Sequence, residues 1–170
     1  MNAGKLPEHH MRRALALAAE ALAFGEFPIA AVVVLDDQII GRAAASEQRE
    51  KRTLGHAELV ALEQADRLGL SLDQRRRARL FTTLEPCLMC MGAAMSFFLG
   101  EIYYALESPG DGAVELAQAW ERKEGDIPGY QLPKISGGLL REESMGLFER
   151  YVSMRPPGPM RDWAETLTEL

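Results

Sequence analysis

A chain of 170 residues with 47% apolar and 26% charged positions has the make-up of one soluble globular domain, which excludes a disordered, fibrous or multidomain polypeptide. A domain of this length buries about 70% of the surface its unfolded chain exposes, so it needs no disulfide to hold a core. Nineteen basic against 25 acidic residues leave a formal charge of −6, a balance that does not advertise a nucleic-acid partner, although a local patch can override a total.

A first helix is expected from about Pro7, with Met11, Leu15, Ala18, Ala19 and Leu22 as one apolar stripe and Gly25 as its stop. The continuous apolar run Ile29 to Leu35 reads as a strand. Asp36 to Gln38 form a turn, and Ile39 to Ala44 return as a second strand. A strand apolar on both sides needs cover on both faces, so helices are expected above and below the sheet. The polar stretch Ser46 to Arg52 precedes a second helix, His56 to Leu68, and Arg75, Arg76, Arg77 and Arg79 read as a solvated loop before a third strand, Leu80 to Leu84. A helix from Pro86 to about Phe98, a strand from Glu101 to Leu106 and a helix near Val114 to Lys123 follow. Gly125, Pro128 and Gly129 break the chain before a strand near Gln131 to Ile135 or just beyond. A helix from about Glu142 carries Met145, Phe148 and Val152, and Trp163 to Leu170 form a last turn or two. Alternating strands and helices make a three-layer α/β/α sandwich, with a domain over 1–154 and a tail over 155–170.

Two short patterns carry chemistry. His56-Ala57-Glu58 opens the second helix, and Pro86-Cys87-Leu88-Met89-Cys90 opens the third. Cysteines at i and i+3 share one helix face, so both sulfurs reach a single ion, and the positive end of the helix favours thiolate. Such a pair alone also fits a redox motif or half of a structural zinc knuckle. Taken with His56 it makes a three-ligand zinc site, which leaves a fourth position for water. Glu58 is placed to take the water's proton, whereas Glu63 and Asp66 read as solvated surface charges. A closed structural site would need a fourth ligand from His9 or His10, which lie inside the first helix pattern.

His56-Ala-Glu followed by Thr83-Leu-Glu-Pro-Cys-Leu-Met-Cys90 resembles the signature of the zinc nucleobase deaminases. Over roughly residues 8 to 152 the chain is similar to the branch of the cytidine and deoxycytidylate deaminase superfamily that holds tRNA adenosine, guanine and nucleoside deaminases. The resemblance implies a five-stranded mixed sheet of the cytidine deaminase type, zinc held by His56, Cys87 and Cys90, Glu58 as the catalytic proton shuttle, and a homodimer. Departures fall where substrate is read. Ala45 stands where the family usually has Asn, and Arg52-Thr53-Leu54-Gly55 replaces the Asp-Pro-Thr-Ala of the tRNA enzymes. Ser108 and Gly110 replace their Asp and Lys. Phe27, Ala45 and Glu85 are the candidate substrate-binding positions, and Trp120, Tyr130 and Trp163 are read as packing or interface residues.

The expected activity is zinc-dependent hydrolysis, with water on zinc attacking the amine-bearing ring carbon and releasing ammonia. A small-molecule purine base or nucleoside is preferred as substrate. Wobble adenosine in tRNA is the alternative, and a non-catalytic zinc-binding relative is a second one. No apolar run reaches the roughly 18 residues of a membrane span, and Met1 to Lys5 lack a secretory layout, so no membrane partner and a cytoplasmic address are expected.

Overall fold

In the computed structural model, which describes residues 5–121 and 129–170, helices cover both faces of a five-stranded sheet. The elements in chain order are α1 (Lys5–Ala23), β1 (Ala30–Leu35), β2 (Gln38–Ala44), α2 (Glu47–Glu50), α3 (Ala57–Asp66), α4 (Leu72–Arg77) and β3 (Arg79–Leu84). These are followed by α5 (Leu88–Ser96), β4 (Glu101–Leu106), α6 (Val114–Gln118), β5 (Lys134–Ser136), α7 (Arg141–Met154) and α8 (Pro159–Thr166). The strand order is β2-β1-β3-β4-β5. β1 lies antiparallel to both β2 and β3, while β3, β4 and β5 run parallel.

Every residue of β1 is buried, as its unbroken apolar run requires. Alternation then sorts its side chains. Ala30, Val32 and Val34 pack with Met11, Leu22, Phe148 and Tyr151 of α1 and α7. Ala31 and Val33 pack with Ala61, Ala65, Met91 and Ala94 of α3 and α5. The same alternation along β3 turns Thr82 to the α3 side, where its hydroxyl meets Glu58. It turns Thr83 to the α1 side, where its hydroxyl accepts from Ala30 N and donates to the Pro28 carbonyl.

Several boundaries differ from the sequence reading. His56 and Cys87 are not helical. Each is an N-cap in extended conformation, at φ −60, ψ 143 and φ −67, ψ 170. Ser46 to Arg52 contain the one-turn helix α2. The arginine run is helical as well: Ser71 and Gln74 close a reciprocal capping box at the start of α4. Its charges are taken up locally, Arg77 by Asp36 and Asp73 and Arg79 by Asp37. β5 begins at Lys134, and α8 begins at Pro159 rather than Trp163. Ala164 and Leu167 of that last segment are buried in the core shared with α1 and α7. His10 is buried rather than exposed, packed against Phe81 on the α1 side of the sheet. Lys123, Gly125 and Pro128 lie outside the described residues, and α6 ends at Gln118. No helix among the described residues is long and apolar enough to cross a membrane.

α3 approaches β2 closely at Gly41, where a Cβ would overlap the carbonyl oxygen of Ala61. Because that oxygen belongs to the helix backbone, a side chain at 41 must push α3 off the sheet. Gly41→Ala is therefore expected to destabilise the fold by about 2 kcal/mol, read as a lower denaturant midpoint at unchanged slope.

Candidate active site and metal centre

The His56 ring, the Cys87 and Cys90 sulfurs and the Glu58 carboxylate converge between the starts of α3 and α5, outside the carboxyl end of β3. An N-cap side chain ordinarily accepts a bond from its own helix, but neither His56 nor Cys87 does so. Both side chains are free to point at a shared centre.

His56 Nδ1 lies 3.5 Å from Cys87 Sγ and 3.6 Å from Cys90 Sγ. All three donor atoms fall within 4.8 Å of one another, and both cysteines are free. Zinc bonds of about 2.0 Å to nitrogen and 2.3 Å to sulfur at tetrahedral angles imply nitrogen–sulfur separations of about 3.5 Å. The three residues therefore form a possible zinc site, and both the donor chemistry and the spacing fit that ion. The metal-free electrostatics agree. A hydrogen bond from Cys90, reinforced by His56, pulls the Cys87 thiol down to about 4. The same contact, with burial, pushes Cys90 up, and bonding to Cys87 pushes His56 up. One thiolate thus stands ready, and a bound metal would displace the second proton.

Glu58 is the second residue of α3 and only 4% exposed. Thr82 Oγ1 donates to its Oε1 at 2.8 Å, and Oε2 lies 3.5 Å from Cys90 Sγ. Burial away from water holds the carboxyl above the usual carboxylate range. The result is an acid fixed by one oxygen and beside the ligand cluster at the other.

These groups open onto a cavity of about 310 Å³. Ile29 and Leu84 give it apolar walls, and Phe27 borders it, edge to face with Trp163 at 4.9 Å between ring centres. Glu85 also borders it, but its oxygens accept from Ser108 N at 3.1 Å and Val114 N at 3.0 Å. Glu85 thereby ties down the 108–114 loop, and Gly112 leaves room for its carboxylate. Ala45 is 1% exposed and is not among the lining residues. Sequence reasoning missed Glu47, Asp111 and Met160 at the cavity and read Trp163 only as packing. Gly110-Asp111-Gly112 marks a turn in the sequence, but no local pattern links 47 or 160 to residue 56.

The cytidine and deoxycytidylate deaminase zinc-binding region matches residues 5–106. A tRNA-specific adenosine deaminase of Bacillus subtilis is 31% identical, over 85% of this chain and 87% of its own. A tRNA(Ile)-lysidine synthase of Deinococcus radiodurans is 36% identical over 81% of this chain, which spans only 23% of that protein. Among solved structures, a chain from work on A-to-I editing by tRNA:A34 deaminases aligns with TM-score 0.67 and 33% identity, covering 82% of this chain and 98% of its own.

Two outcomes test the centre. Purified protein is expected to carry about one zinc per chain by elemental analysis, and His56→Ala to carry far less and melt at lower temperature. Thr82→Val is expected to keep its zinc while losing about tenfold in turnover, because Glu58 then loses the bond that fixes it.

Proposed function

Because the chain belongs to the cytidine and deoxycytidylate deaminase zinc-binding family, we propose that it is a hydrolytic deaminase of a nucleobase, and that the base is an adenine presented in RNA at the wobble position of a tRNA. The chemical part rests on one observation: a three-ligand zinc site with a buried, anchored carboxyl beside it. The choice of base is supported by relatives named for tRNA adenosine deamination, and these favour it over the free purine preferred from sequence.

His56, Cys87 and Cys90 would hold the zinc, which when bound supplies Lewis acidity and draws the pKa of a water toward neutrality. Glu58 takes one water proton at Oε2 and passes it to the ring nitrogen, then takes a second from the added hydroxyl and passes it to the departing amine. Thr82 keeps Oε1 fixed while this happens. Phe27, Trp163, Ile29 and Leu84 hold the flat ring and exclude water. The ring carbon exchanges its amine for the oxygen of water, and ammonia leaves. A cytoplasmic address and a homodimer belong to the same reading. The dimer is supported by an exposed apolar groove formed by Leu88, Leu116, Trp120 and Tyr130.

A second reading, a free purine base or nucleoside as substrate, is favoured by the wall itself. None of the described residues lining the cavity is Lys or Arg, and Pro159, Met160 and Trp163 of α8 enclose one side. Ammonia release measured side by side on adenine, guanine, their nucleosides and an adenosine-bearing anticodon stem-loop separates the two. Turnover confined to the stem-loop is expected; turnover of a free purine overturns the RNA assignment. Glu58→Ala is expected to retain zinc and lower ammonia release by at least about a thousandfold. A variant as active as the parent would leave a metal-binding protein without this chemistry.

A further inference from the structure

Four carboxylates border the cavity: Glu47, Glu58, Glu85 and Asp111. Three have partners within the protein. Glu58 is held by Thr82, Glu85 by two backbone N–H groups, and Asp111 by the Ser108 hydroxyl. Glu47 differs. Its Oε2 is buried and has no hydrogen-bond partner among the described residues. An unpaired buried acceptor costs about 1–3 kcal/mol, and native structures keep few of them.

The local fold prevents Glu47 from relieving this itself. It is the first residue of α2, where a side chain often turns back onto its own helix. Here the N–H groups of Gln48 and Arg49 are already taken by the carboxylate of Glu26, at 3.3 and 2.7 Å. Glu26 is only 2% exposed, so this anchor is rigid. Of the next cations along the chain, Arg49 lies over the Phe24 ring, Arg52 pairs with Glu50, and Lys51 is the exposed C-cap of α2 and does not line the cavity. With no Lys or Arg among the lining residues, the Glu47 side chain, which borders the cavity, is left to meet whatever fills it.

We infer that Glu47 is a specificity-determining residue that receives hydrogen-bond donors of the bound base or nucleoside, either base N–H groups (the exocyclic amine of adenosine, or a ring N–H of a free purine or guanine) or sugar O–H groups. This deepens the deaminase reading and rests on it. A second consequence is that phosphate stays outside. Four acids and no Lys or Arg among the described residues at the cavity disfavour it there, so a polymeric substrate inserts only its base and sugar.

The test is calorimetric binding to zinc-loaded protein carrying Glu58→Ala to stop turnover. The probes are adenosine, 2′-deoxyadenosine, adenine, guanine, guanosine and the anticodon stem-loop with ribose or 2′-deoxyribose at the wobble position. Adding Glu47→Gln keeps the shape and removes one acceptor, and it is expected to weaken the tightest probe about tenfold. Glu47→Asp, which withdraws the carboxylate by one methylene, is expected to weaken it as well. A loss seen with ribose but not with 2′-deoxyribose assigns the donor to the 2′-hydroxyl, and a loss that persists with the free base assigns it to the base. Unchanged affinity in both variants, at unchanged melting temperature, overturns the role of Glu47 and leaves the deaminase reading standing. If neither parent nor variant binds any probe, the base-binding reading itself falls, and Glu47 with it.

Discussion

Everything in the site depends on two helices beginning at one point in space. His56 caps α3 and Cys87 caps α5, both in extended backbone, so each ligand leaves its strand-to-helix connection before the helix fixes its direction. Each ligand stands at the start of its helix, at the positive end of the dipole. That field suits an anionic sulfur, and the hydrogen bond from Cys90, reinforced by His56, draws Cys87 toward the thiolate. The antiparallel β1 and the parallel β4 flank β3, and they bring Thr82, Glu58 and the loop after β4 to the same end of the sheet. Ligands in open α/β sheets bind outside the carboxyl ends of strands for this geometric reason.

Polar groups around the centre divide by who satisfies them. Thr82 fixes one oxygen of Glu58, and Glu85 is consumed by two backbone N–H groups of the 108–114 loop. Glu85 therefore positions Asp111 at the cavity rather than offering its own oxygens. The bridge between Cys87 and Gly112 and the bond from Ala113 N to the Pro86 carbonyl run beside it. The loop after β4 and the metal-ligand turn are thus one hydrogen-bonded unit, so a change in the loop is felt at the ligand.

The metal cluster was legible because its information is local: two sulfurs one turn apart on a helix and a histidine at a helix start. The strands were legible from runs of β-branched residues, and all five were located, although β5 begins three residues beyond its expected start at Gln131. The starts of α3 and α5 were misplaced by one or two residues because an N-cap residue is half inside its helix, and that position leaves the His56 and Cys87 side chains free of their own helices. α4 carried a readable signal in Ser71 and Gln74, but three consecutive arginines obscured it. Ala45 was placed at the substrate by analogy with an amide-bearing position. As a small apolar residue it has instead sunk into the interior, and Glu47, two residues on, borders the cavity. The contribution of α8 had no local signature at all, because it comes from residues more than a hundred positions from His56.

That last helix joins stability to selectivity. Ala164 and Leu167 fill the core beneath α1 and α7, while Met160 and Trp163 of the same helix face the cavity. Trp163 also touches Phe148 of the core, and Phe27 at the cavity stacks on Tyr151. A helix seated this way cannot swing aside without exposing buried apolar surface, at about 25 cal/mol for each Å². The wall opposite the metal is therefore a fixed surface rather than a flap. On the proposed deaminase reading a base would fit between Phe27, Trp163 and the ligand cluster, with Glu47 at its polar edge.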